Sequence, residues 1–484
     1  MSTNPLTPDQ LKRLVRDGQI DTVLTVFPDM AGRLMGKRVT GRFFVDEVMA
    51  GGMHACAYLL TVDMEMEPLP GFDSASWGSG YQDFKALPDF GTLRRIPWLE
   101  KTALVLCDLV TEHGDPVEES PRTILKKQIE RARKLGYRPK MGSELEFYLY
   151  KDSYDAAQAK AYQALEPFSA YLEDYHILQT SKEEFVIQAI RNGMEAAGIP
   201  VENSKGEWGK GQEEINLRYA DALEMADRHV IYKNGVKEIA YQKGVAVTFM
   251  AKPHIDRAGS SFHLHSSLWS RDGKTNLFAH HKFPPPLWGR TKVGGRKRLK
   301  STPHPSLPPQ EGKGYSELFQ HYVGGQLTLG RAMAYWFAPT INSYKRYQSG
   351  SFAPTRLAWG EDNRTCGFRV VGEHNSLRIE NRVPGADANP YLAFAATIAA
   401  GLYGIEKKLN PGPLFHGNAY ETKKVPQVPK TLRDALDEFE KSKPMRDAFG
   451  EGVIRHYTHA GRLEQAAYDQ SVTDWELKRY FERI

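Results

Sequence analysis

Polar and apolar residues alternate in three short segments that otherwise have the composition of buried strands. The segments are residues 143–147 (SELEF), 262–266 (FHLHS) and 377–382 (LRIENR). Because side chains alternate across a strand, Glu144 and Glu146 share one face of the first segment. The same spacing aligns His263 with His265 in the second segment, and Arg378, Glu380 and Arg382 in the third. Each segment therefore predicts a strand with one polar face.

The pair of carboxylates on one strand face suggests a metal site. Two like charges on an inward face are costly unless a cation neutralises them. The alternative for Glu144 and Glu146 is a solvated edge strand, which an isolated Glu-x-Glu pattern also fits. For Arg378 and Arg382, the alternative to substrate contact is a ladder of ion pairs with Glu380.

The remaining pattern predicts an α+β protein with two domains. Strands are expected at 22–27, 33–39 and 103–109, within a small β-rich domain that covers residues 1–115. A larger domain, 116–484, is expected to contain helices as well as the three polar-faced strands. Its helices are predicted after Ser120 and Pro121, at a capping box of Ser181 with Glu184, over 221–242, and from Asn389 through residue 400.

Positive charge is concentrated in one segment of this 484-residue chain. The net charge is +5, yet residues 282–313 contain eight Lys or Arg and one Glu, an excess of +7 that leaves −2 elsewhere. Residues 281–313 also hold seven of the 29 prolines and show no apolar period. We predict a basic, Pro-rich, flexible surface insertion; a tether to nucleic acid or membrane is the alternative. The distribution argues against a nucleic-acid partner for the folded body.

Other features favour a cytoplasmic protein without a membrane partner. No apolar run is long enough to cross a bilayer, and residues 1–10 lack the basic-then-apolar order of a signal peptide. The three cysteines, Cys56, Cys107 and Cys366, are far apart in sequence, which predicts reduced thiols.

Further acidic and basic groups extend the candidate chemistry. The glycine-rich stretch 207–214 (EWGKGQEE) adds carboxylates, and the downstream arginines are Arg346, Arg364, Arg369, Arg378 and Arg382. Carboxylates with an occasional imidazole suit two Mg²⁺ or Mn²⁺ ions, whereas the HExxH spacing of zinc proteases is absent. Divalent ions facing fixed guanidiniums are equipment for phosphoryl transfer, so ATP chemistry is expected although no Walker loop is present.

Six motifs in order give the chain a resemblance to the glutamine synthetase family. They are GSELEF, GKGQEE, TFMAKPHIDRAGSSFHLHSSLW, NSYKRY, DNRTCGFRV and LRIENRVPGADANPYLAFAA, and the match of which they are part spans nearly everything outside the Pro-rich segment. The resemblance implies an N-terminal β-grasp-like domain before a catalytic domain with a curved antiparallel sheet. It also implies ATP as a substrate and two or more Mg²⁺ or Mn²⁺ ions in each site.

The resemblance also assigns roles by position. One metal would be held by Glu146, Glu207 and Glu214, and a second by Glu144, His263 and Glu380. Glutamate would be held by Arg346, Arg382 and Gly259, and nucleotide by His265, Ser267, Arg364 and Arg369. Arg364 and Glu380 would also be catalytic. Asp83 would bind and deprotonate the amine in the neighbouring subunit, which implies a homo-oligomer with sites between subunits, a dodecamer of two hexameric rings.

Two departures from the family pattern bear on the substrate. Phe352 stands where ammonia-using members have a glutamate on a mobile flap, and Ala258 stands where an asparagine precedes the glycine of the glutamate loop. An ammonium ion needs anionic ligands, whereas a carbon-bearing amine gains from an apolar wall. The pattern is similar to the branch that makes γ-glutamylputrescine and related γ-glutamylamides. We therefore expect an ATP-dependent ligase that joins glutamate to putrescine, ethanolamine, methylamine or a similar amine.

Other interpretations remain open at this point. Phe352 could be loop packing, with Glu361 or Asp362 supplying the acid, in which case the chain is an ordinary glutamine synthetase. A catalytically idle relative is a third possibility. Tryptophans 208, 269 and 359 are expected to be packing residues, although Trp359 is near enough in sequence to the flap to line an amine pocket.

Overall fold

Two β-sheets and the helices around them form the molecule in this computed structural model, which describes residues 5–279 and 315–484. The predicted insertion 281–313 lies outside the described residues. The strands are β1 Thr22–Pro28, β2 Leu34–Thr40, β3 Met53–Cys56, β4 Asp83–Pro88, β5 Arg94–Arg95, β6 Thr102–Val110, β7 Tyr137–Tyr150, β8 Val201–Gly206, β9 Gln212–Asp221, β10 Ala246–Thr248, β11 Phe262–Ser270, β12 Trp359–Glu361, β13 Phe368–Val371 and β14 Arg378–Asn381.

The described α-helices follow the same chain order. They are α1 Pro8–Arg16, α2 Gly41–Phe43, α3 Met49–Gly51, α4 Pro121–Lys134, α5 Tyr154–Ala159, α6 Ile177–Thr180, α7 Glu184–Ala196, α8 Ala222–Gln242, α9 Glu317–Phe337, α10 Pro390–Glu406, α11 Leu432–Lys441, α12 Lys443–Phe449, α13 Glu451–Gln470 and α14 Asp474–Tyr480. Within 5–279 and 315–484, none of these helices combines the length and apolar character that a bilayer crossing requires.

The first sheet has the strand order β2-β1-β6-β4-β3, with β5 also paired to β6. Its central strands β1 and β6 run parallel and are buried on both faces. Val23 and Phe27 point into a small N-terminal core, while Leu24 and Val26 contact the main core of the protein. The two-sided burial explains why β1 is almost continuously apolar instead of alternating.

The second sheet has the order β12-β13-β14-β11-β7-β9-β8, with β10 also paired to β7. Its pairs are antiparallel except for β12 with β13. The predicted α+β class is confirmed, and the β-grasp description of the first sheet stays a prediction. Likewise, the division at residue 115 stays a prediction.

Helices α9 and α10 pack closely beside this sheet. A Cβ added to Gly325 would lie 2.0 Å from the carbonyl oxygen of Ala400 and 2.8 Å from the Cα of Gly404, so the two helices meet where neither has a side chain. Asn389 caps α10 and also donates to the carbonyl oxygen of Met30 at 2.9 Å. This cap therefore joins the turn after β1 to the main core.

The predicted capping box at Ser181 is wrong. Helix α7 begins at Glu184, and its N-cap Glu183 makes no side-chain capping bond. Ser181 lies at the end of the short helix α6, where its hydroxyl donates to the carbonyl oxygen of Ile177 at 2.8 Å. Glu184 pairs instead with Arg191 on the same helix. Ser181 therefore ends helix α6 and does not cap helix α7.

Candidate functional site

Strand register sets the predicted polar residues opposite one another across the second sheet. On β7 and β11, Glu144 is paired with His263, and on β11 and β14, His265 is paired with Glu380. On β7 and β9, Glu146 is paired with Glu214. Segments far apart in sequence thus form adjacent strands, and their polar faces meet on one surface. That surface lines a cavity of about 640 Å³, which we call the acidic cavity.

One carboxylate cluster lies at the β7 and β9 side of the acidic cavity. Oxygen atoms of Glu146, Glu207 and Glu214 all lie within 4.8 Å of one another. Glu146 and Glu214 are 5% and 3% exposed. Burial, and then the charge of Glu207, raises the pKa of Glu146 to about 8. The same two causes raise the pKa of Glu214 well above its ordinary value. The cluster is therefore short of positive charge.

Glu214 lies on strand β9 and not in the glycine-rich loop where the sequence analysis placed it. The loop proper contains Glu207 and ends before Gln212. Gln212 and the backbone of Ser261 both donate to Glu146 Oε2, at 3.2 and 2.7 Å. These bonds fix one oxygen of Glu146.

Lys205 is a member of this site that the sequence analysis missed. Its Nζ donates to Glu207 and lies 4.0 Å from Glu214 Oε1. Burial opposes its charge, but Glu214 and Glu207 raise the pKa of Lys205 above its ordinary value. The sequence gives no signal for this role of a lysine on β8, because one of its partners lies in the loop between β8 and β9 and the other lies on β9.

A second group of ligand-type atoms surrounds Glu144. Its Oε2 lies 3.3 Å from His263 Nδ1 and its Oε1 lies 2.8 Å from His265 Nε2. Ligand atoms of Glu144, Glu214 and His263 all lie within 4.8 Å of one another, so Glu214 belongs to both groups. Burial, and then the positive charge of Arg382, lowers the pKa of His263 to about 4. His263 is therefore neutral near pH 7, as a metal ligand must be.

Glu380 is held between two arginines. It is fully buried, accepts a hydrogen bond from Arg369 Nη1 at 2.9 Å, and accepts another from Arg382 Nη1. Burial opposes ionisation of Glu380, but Arg382 and His263 lower its pKa to about 2. His263 Nδ1 lies 3.7 Å from Glu380 Oε1. Both Arg369 and Arg382 line the acidic cavity, as does the exposed Arg364.

Two predicted glutamate contacts occupy different positions. Gly259 lines the acidic cavity, whereas Arg346 is 1% exposed and is not among the lining residues. Arg346 donates to the carbonyl oxygens of Val383 and Arg382, each at 2.8 Å. A Cβ at Gly259 would lie 2.5 Å from the Arg346 side chain. Arg346 therefore supports the wall of the cavity from behind Gly259.

Aromatic side chains form one rim of the acidic cavity. Phe352 is 49% exposed, has a positive φ of 59°, and its ring lies 5.7 Å from the ring of Trp208, edge to face. Trp208 is 51% exposed and packs against Phe352 at the surface of the cavity. Tyr175, Ile177 and Ala258 line the same cavity. We call Trp208 and Phe352 the aromatic rim.

An adjoining cavity of about 520 Å³ shares Glu144 and Asn216 with the acidic cavity. It is lined by His265, Ser267 and Trp269, and the Ser267 hydroxyl accepts a hydrogen bond from Trp269 Nε1 at 2.9 Å. Lys140 Nζ lies 3.9 Å from the Trp269 ring, and Arg378 Nε donates to His265 Nδ1. Two of the residues predicted to contact nucleotide, His265 and Ser267, therefore lie in a cavity that adjoins the carboxylates.

The remaining predicted residues fall outside these cavities. Asp83 begins β4 in the first sheet, is exposed, and is not among the residues that line either cavity. Trp359 is buried, donates to the Gly412 carbonyl oxygen at 3.2 Å, and lines neither cavity, so it packs in the interior. Asp362 is bound by Arg369 Nε at 2.9 Å.

The donor set fits hard divalent cations. Glu146 and Glu214 are carboxylates whose pKa values are raised by burial and by the negative charge of Glu207. Carboxylate oxygens with one neutral imidazole suit Mg²⁺ or Mn²⁺, and a cation among them removes the cost of their burial. The residues present therefore fit the ions that the sequence analysis expects.

Comparison with known proteins gives matches over most of the chain. The profile of the glutamine synthetase catalytic domain matches residues 118–291 and 303–480. A gamma-glutamylethanolamide synthetase of Streptomyces coelicolor is 45% identical over 482 residues, which cover 100% of this chain and 97% of the relative. A glutamate–isopropylamine ligase of Pseudomonas sp is 36% identical, with 98% of each chain covered. A solved GmaS complex with ADP has a TM-score of 0.80 at 28% identity, covering 97% of this chain and 99% of that one.

Proposed function

Because the chain belongs to the glutamine synthetase family, we propose that it is an ATP-dependent ligase that joins the γ-carboxylate of glutamate to an organic amine. ATP first transfers its γ-phosphoryl group to the glutamate carboxylate, giving γ-glutamyl phosphate and ADP. The amine nitrogen then attacks the acyl carbon, phosphate leaves, and an amide forms. The observation that carries the proposal is an aromatic rim beside clustered carboxylates and arginines in one cavity.

Relatives support the choice of an amine over ammonia. The matched proteins named above act, by name, with ethanolamine and isopropylamine, and a further relative from Methyloversatilis universalis, 30% identical, is a glutamate–methylamine ligase. In this chain, Phe352 and Ala258 line the cavity, and neither can supply charge to an ammonium ion. An apolar rim instead favours a nitrogen that carries carbon.

Two cations would be held by two neighbouring groups of ligands, which meet at Glu214. One group is Glu146, Glu207 and Glu214, and the other contains Glu144, His263 and Glu380. Held there, divalent cations would supply positive charge to offset that of the nucleotide phosphates and of the carboxylate that accepts the phosphoryl group. Neutral His263 offers its ring lone pair, and Gln212 and Ser261 hold Glu146 in place.

Arginines are proposed to stabilise charge during phosphoryl transfer and departure. Arg369 is fixed by Glu380 and Asp362, so its planar donors are oriented before substrate arrives. Such preorganised donors lower the barrier because they need no rearrangement when charge develops. Arg382 is fixed by Glu380 in the same way, next to the rim, which suits a substrate carboxylate. Arg346 is proposed to position this wall and the glutamate site at Gly259.

The amine must lose a proton before it attacks, since alkyl amines titrate near the lysine value of about 10.4. Asp83 is proposed to bind and deprotonate it. Within one subunit, Asp83 lies on the first sheet and lines neither cavity, so this role requires a neighbouring subunit. We therefore propose a homo-oligomer with shared sites, in the double-ring arrangement that the family resemblance implies.

A panel of amines tests the proposal. Purified protein is incubated with ATP, Mg²⁺ and glutamate, plus ammonia, methylamine, ethanolamine, isopropylamine or putrescine. Phosphate release and product mass are measured together. We expect a γ-glutamylamide with at least one carbon-bearing amine, at higher kcat/KM than glutamine formation. Turnover with ammonia alone would make the chain an ordinary glutamine synthetase, and turnover with none of them would make it a catalytically idle relative.

A further inference from the structure

A second group of carboxylates lies behind the acidic cavity. It consists of Glu173, Glu183 and Glu213, which we call the buried glutamate triad. Because side chains alternate along β9, Glu213 points away from the face that carries Glu214. The three side chains are 0%, 0% and 1% exposed. Their ligand oxygens all lie within 4.8 Å of one another. No residue of the triad lines either cavity described above.

Among the described residues, groups outside the triad donate almost no hydrogen bonds to its carboxylate oxygens. Gly211 N–H donates to Glu173 Oε1 at 2.9 Å. The other oxygen of Glu173, both oxygens of Glu183 and Oε1 of Glu213 are buried without a hydrogen-bond partner outside the triad. Buried polar atoms are satisfied in most native proteins, and these four oxygens have only one another as neighbours able to pair, so protons or a bound cation must satisfy them.

Nearby basic side chains are engaged elsewhere. Lys182 precedes Glu183 but donates to Gln179 Oε1 at 2.6 Å. Arg191 is bound to Glu184 and to the Ser204 hydroxyl. Burial raises the pKa of Glu183 to about 11, and Glu173 and Glu213 add to this. The three carboxyl groups therefore cannot all be ionised unless a positive charge is added beside them.

We propose that the buried glutamate triad binds one hard divalent cation, of the class of Ca²⁺, Mg²⁺ or Mn²⁺, as a structural site separate from the acidic cavity. Carboxylate oxygens are the preferred ligands of these ions. Two oxygens bound to one Ca²⁺ are at most about 4.6 to 5.2 Å apart. The ligand oxygens of the triad all lie within 4.8 Å of one another, so they are close enough to share one ion. The proposal does not depend on which amine the protein uses.

The site would brace two segments that shape the acidic cavity. Glu173 accepts from the backbone of Gly211, in the loop that carries Glu207 and Trp208. Glu183 follows the segment with Tyr175 and Ile177, which also line that cavity. A cation shared by Glu173, Glu183 and Glu213 would tie both segments to β9.

Anomalous diffraction locates the ion directly. Crystals of the full-length protein are soaked in Mn²⁺, and an anomalous difference map is measured near the manganese absorption edge. We expect one peak among the carboxylates of Glu173, Glu183 and Glu213, in addition to peaks in the acidic cavity. Peaks confined to the acidic cavity would overturn the proposal and would indicate that the triad is neutralised by protons.

Counting ions in solution gives an independent test. Equilibrium dialysis against Mn²⁺, followed by elemental analysis, is carried out on wild type, Glu183→Gln and the neighbouring control Glu184→Gln. We expect Glu183→Gln to bind one Mn²⁺ fewer per subunit and Glu184→Gln to match wild type, since Glu184 pairs with Arg191 outside the triad. Equal counts in all three proteins would contradict the proposal. If Glu183→Gln does not fold, the anomalous map on wild type decides.

Discussion

Replacing Phe352 by alanine is expected to lower the preference of the enzyme for larger amines. Phe352 is 49% exposed beside Trp208, at the rim of the acidic cavity. In the proposed function, its ring covers the carbon atoms of the bound amine. Ammonia has no carbon atoms to cover, so its use should be almost unaffected by the substitution.

The size of the effect follows from the apolar area available. A phenylalanine buries roughly 200 Å² at most, so its exposed half offers about 100 Å², worth at most about 2.5 kcal/mol on full burial. The amine sets a tighter upper limit on the effect: each carbon contributes about 0.8 kcal/mol, so ethanolamine gains about 1.6 and isopropylamine about 2.4 kcal/mol. The smaller figures govern. They correspond to losses in kcat/KM of about 15-fold and about 50-fold.

Initial rates of phosphate release, measured at several amine concentrations, give kcat/KM for ammonia, ethanolamine and isopropylamine. Phe185→Ala is the matched control, because Phe185 is 50% exposed and lines neither cavity. Phe352→Glu adds a carboxylate at the rim of the acidic cavity and should raise the use of ammonia, because an ammonium ion gains from an anionic ligand. If Phe352→Ala lowers kcat/KM equally for every amine, or for none, Phe352 does not read the carbon part of the substrate.

Three further predictions concern the charged groups. Burial and then the charge of Glu207 raise the pKa of Glu146 to about 8, so protons should compete with the cation for Glu146 below about pH 8. The affinity for Mn²⁺, measured by titration calorimetry, should therefore fall by up to about tenfold per pH unit below pH 8 and should be constant above pH 8. An unchanged affinity would contradict this. Arg382→Met leaves buried Glu380 short of a partner and should cost about 3–5 kcal/mol in urea unfolding, whereas the exposed Arg364→Met should change stability by less than about 0.5 kcal/mol. The Asp83→Asn and Glu380→Gln variants should each be inactive. When the two are co-expressed, about one quarter of the sites should combine an intact Glu380 with an intact Asp83 from the neighbouring subunit, so about one quarter of wild-type activity should return. No recovery of activity would place each site within one subunit.

The sequence predicts the strands of the site well because alternation is a local signal. Segments 143–147 and 262–266 lie within β7 and β11, and 377–382 covers β14. The family resemblance is confirmed by the match over residues 118–291 and 303–480. Helices α8 and α10 also begin within a residue of their predicted starts, and the α10 start is marked locally by the cap residue Asn389 and the apolar run after it.

Other features depend on contacts that the local pattern does not contain. The capping box at Ser181 fails because the hydroxyl finds a partner in α6. Lys205 and Trp208 acquire their positions from β9 and from the segment around Phe352. The buried glutamate triad combines residues 173, 183 and 213, which carry no common spacing. Pairings between distant segments are therefore where sequence analysis is weakest.

Phosphorylation of the γ-carboxylate of glutamate in the acidic cavity is the step on which the proposed reaction depends. Glutamate labelled with ¹⁸O in that carboxylate tests this directly, in a reaction with ATP and ethanolamine or whichever amine the panel identifies. Mass spectrometry of the released phosphate should show one ¹⁸O per molecule, because the carboxylate oxygen leaves with the phosphoryl group. Phosphate without ¹⁸O, formed together with the amide, would contradict the account.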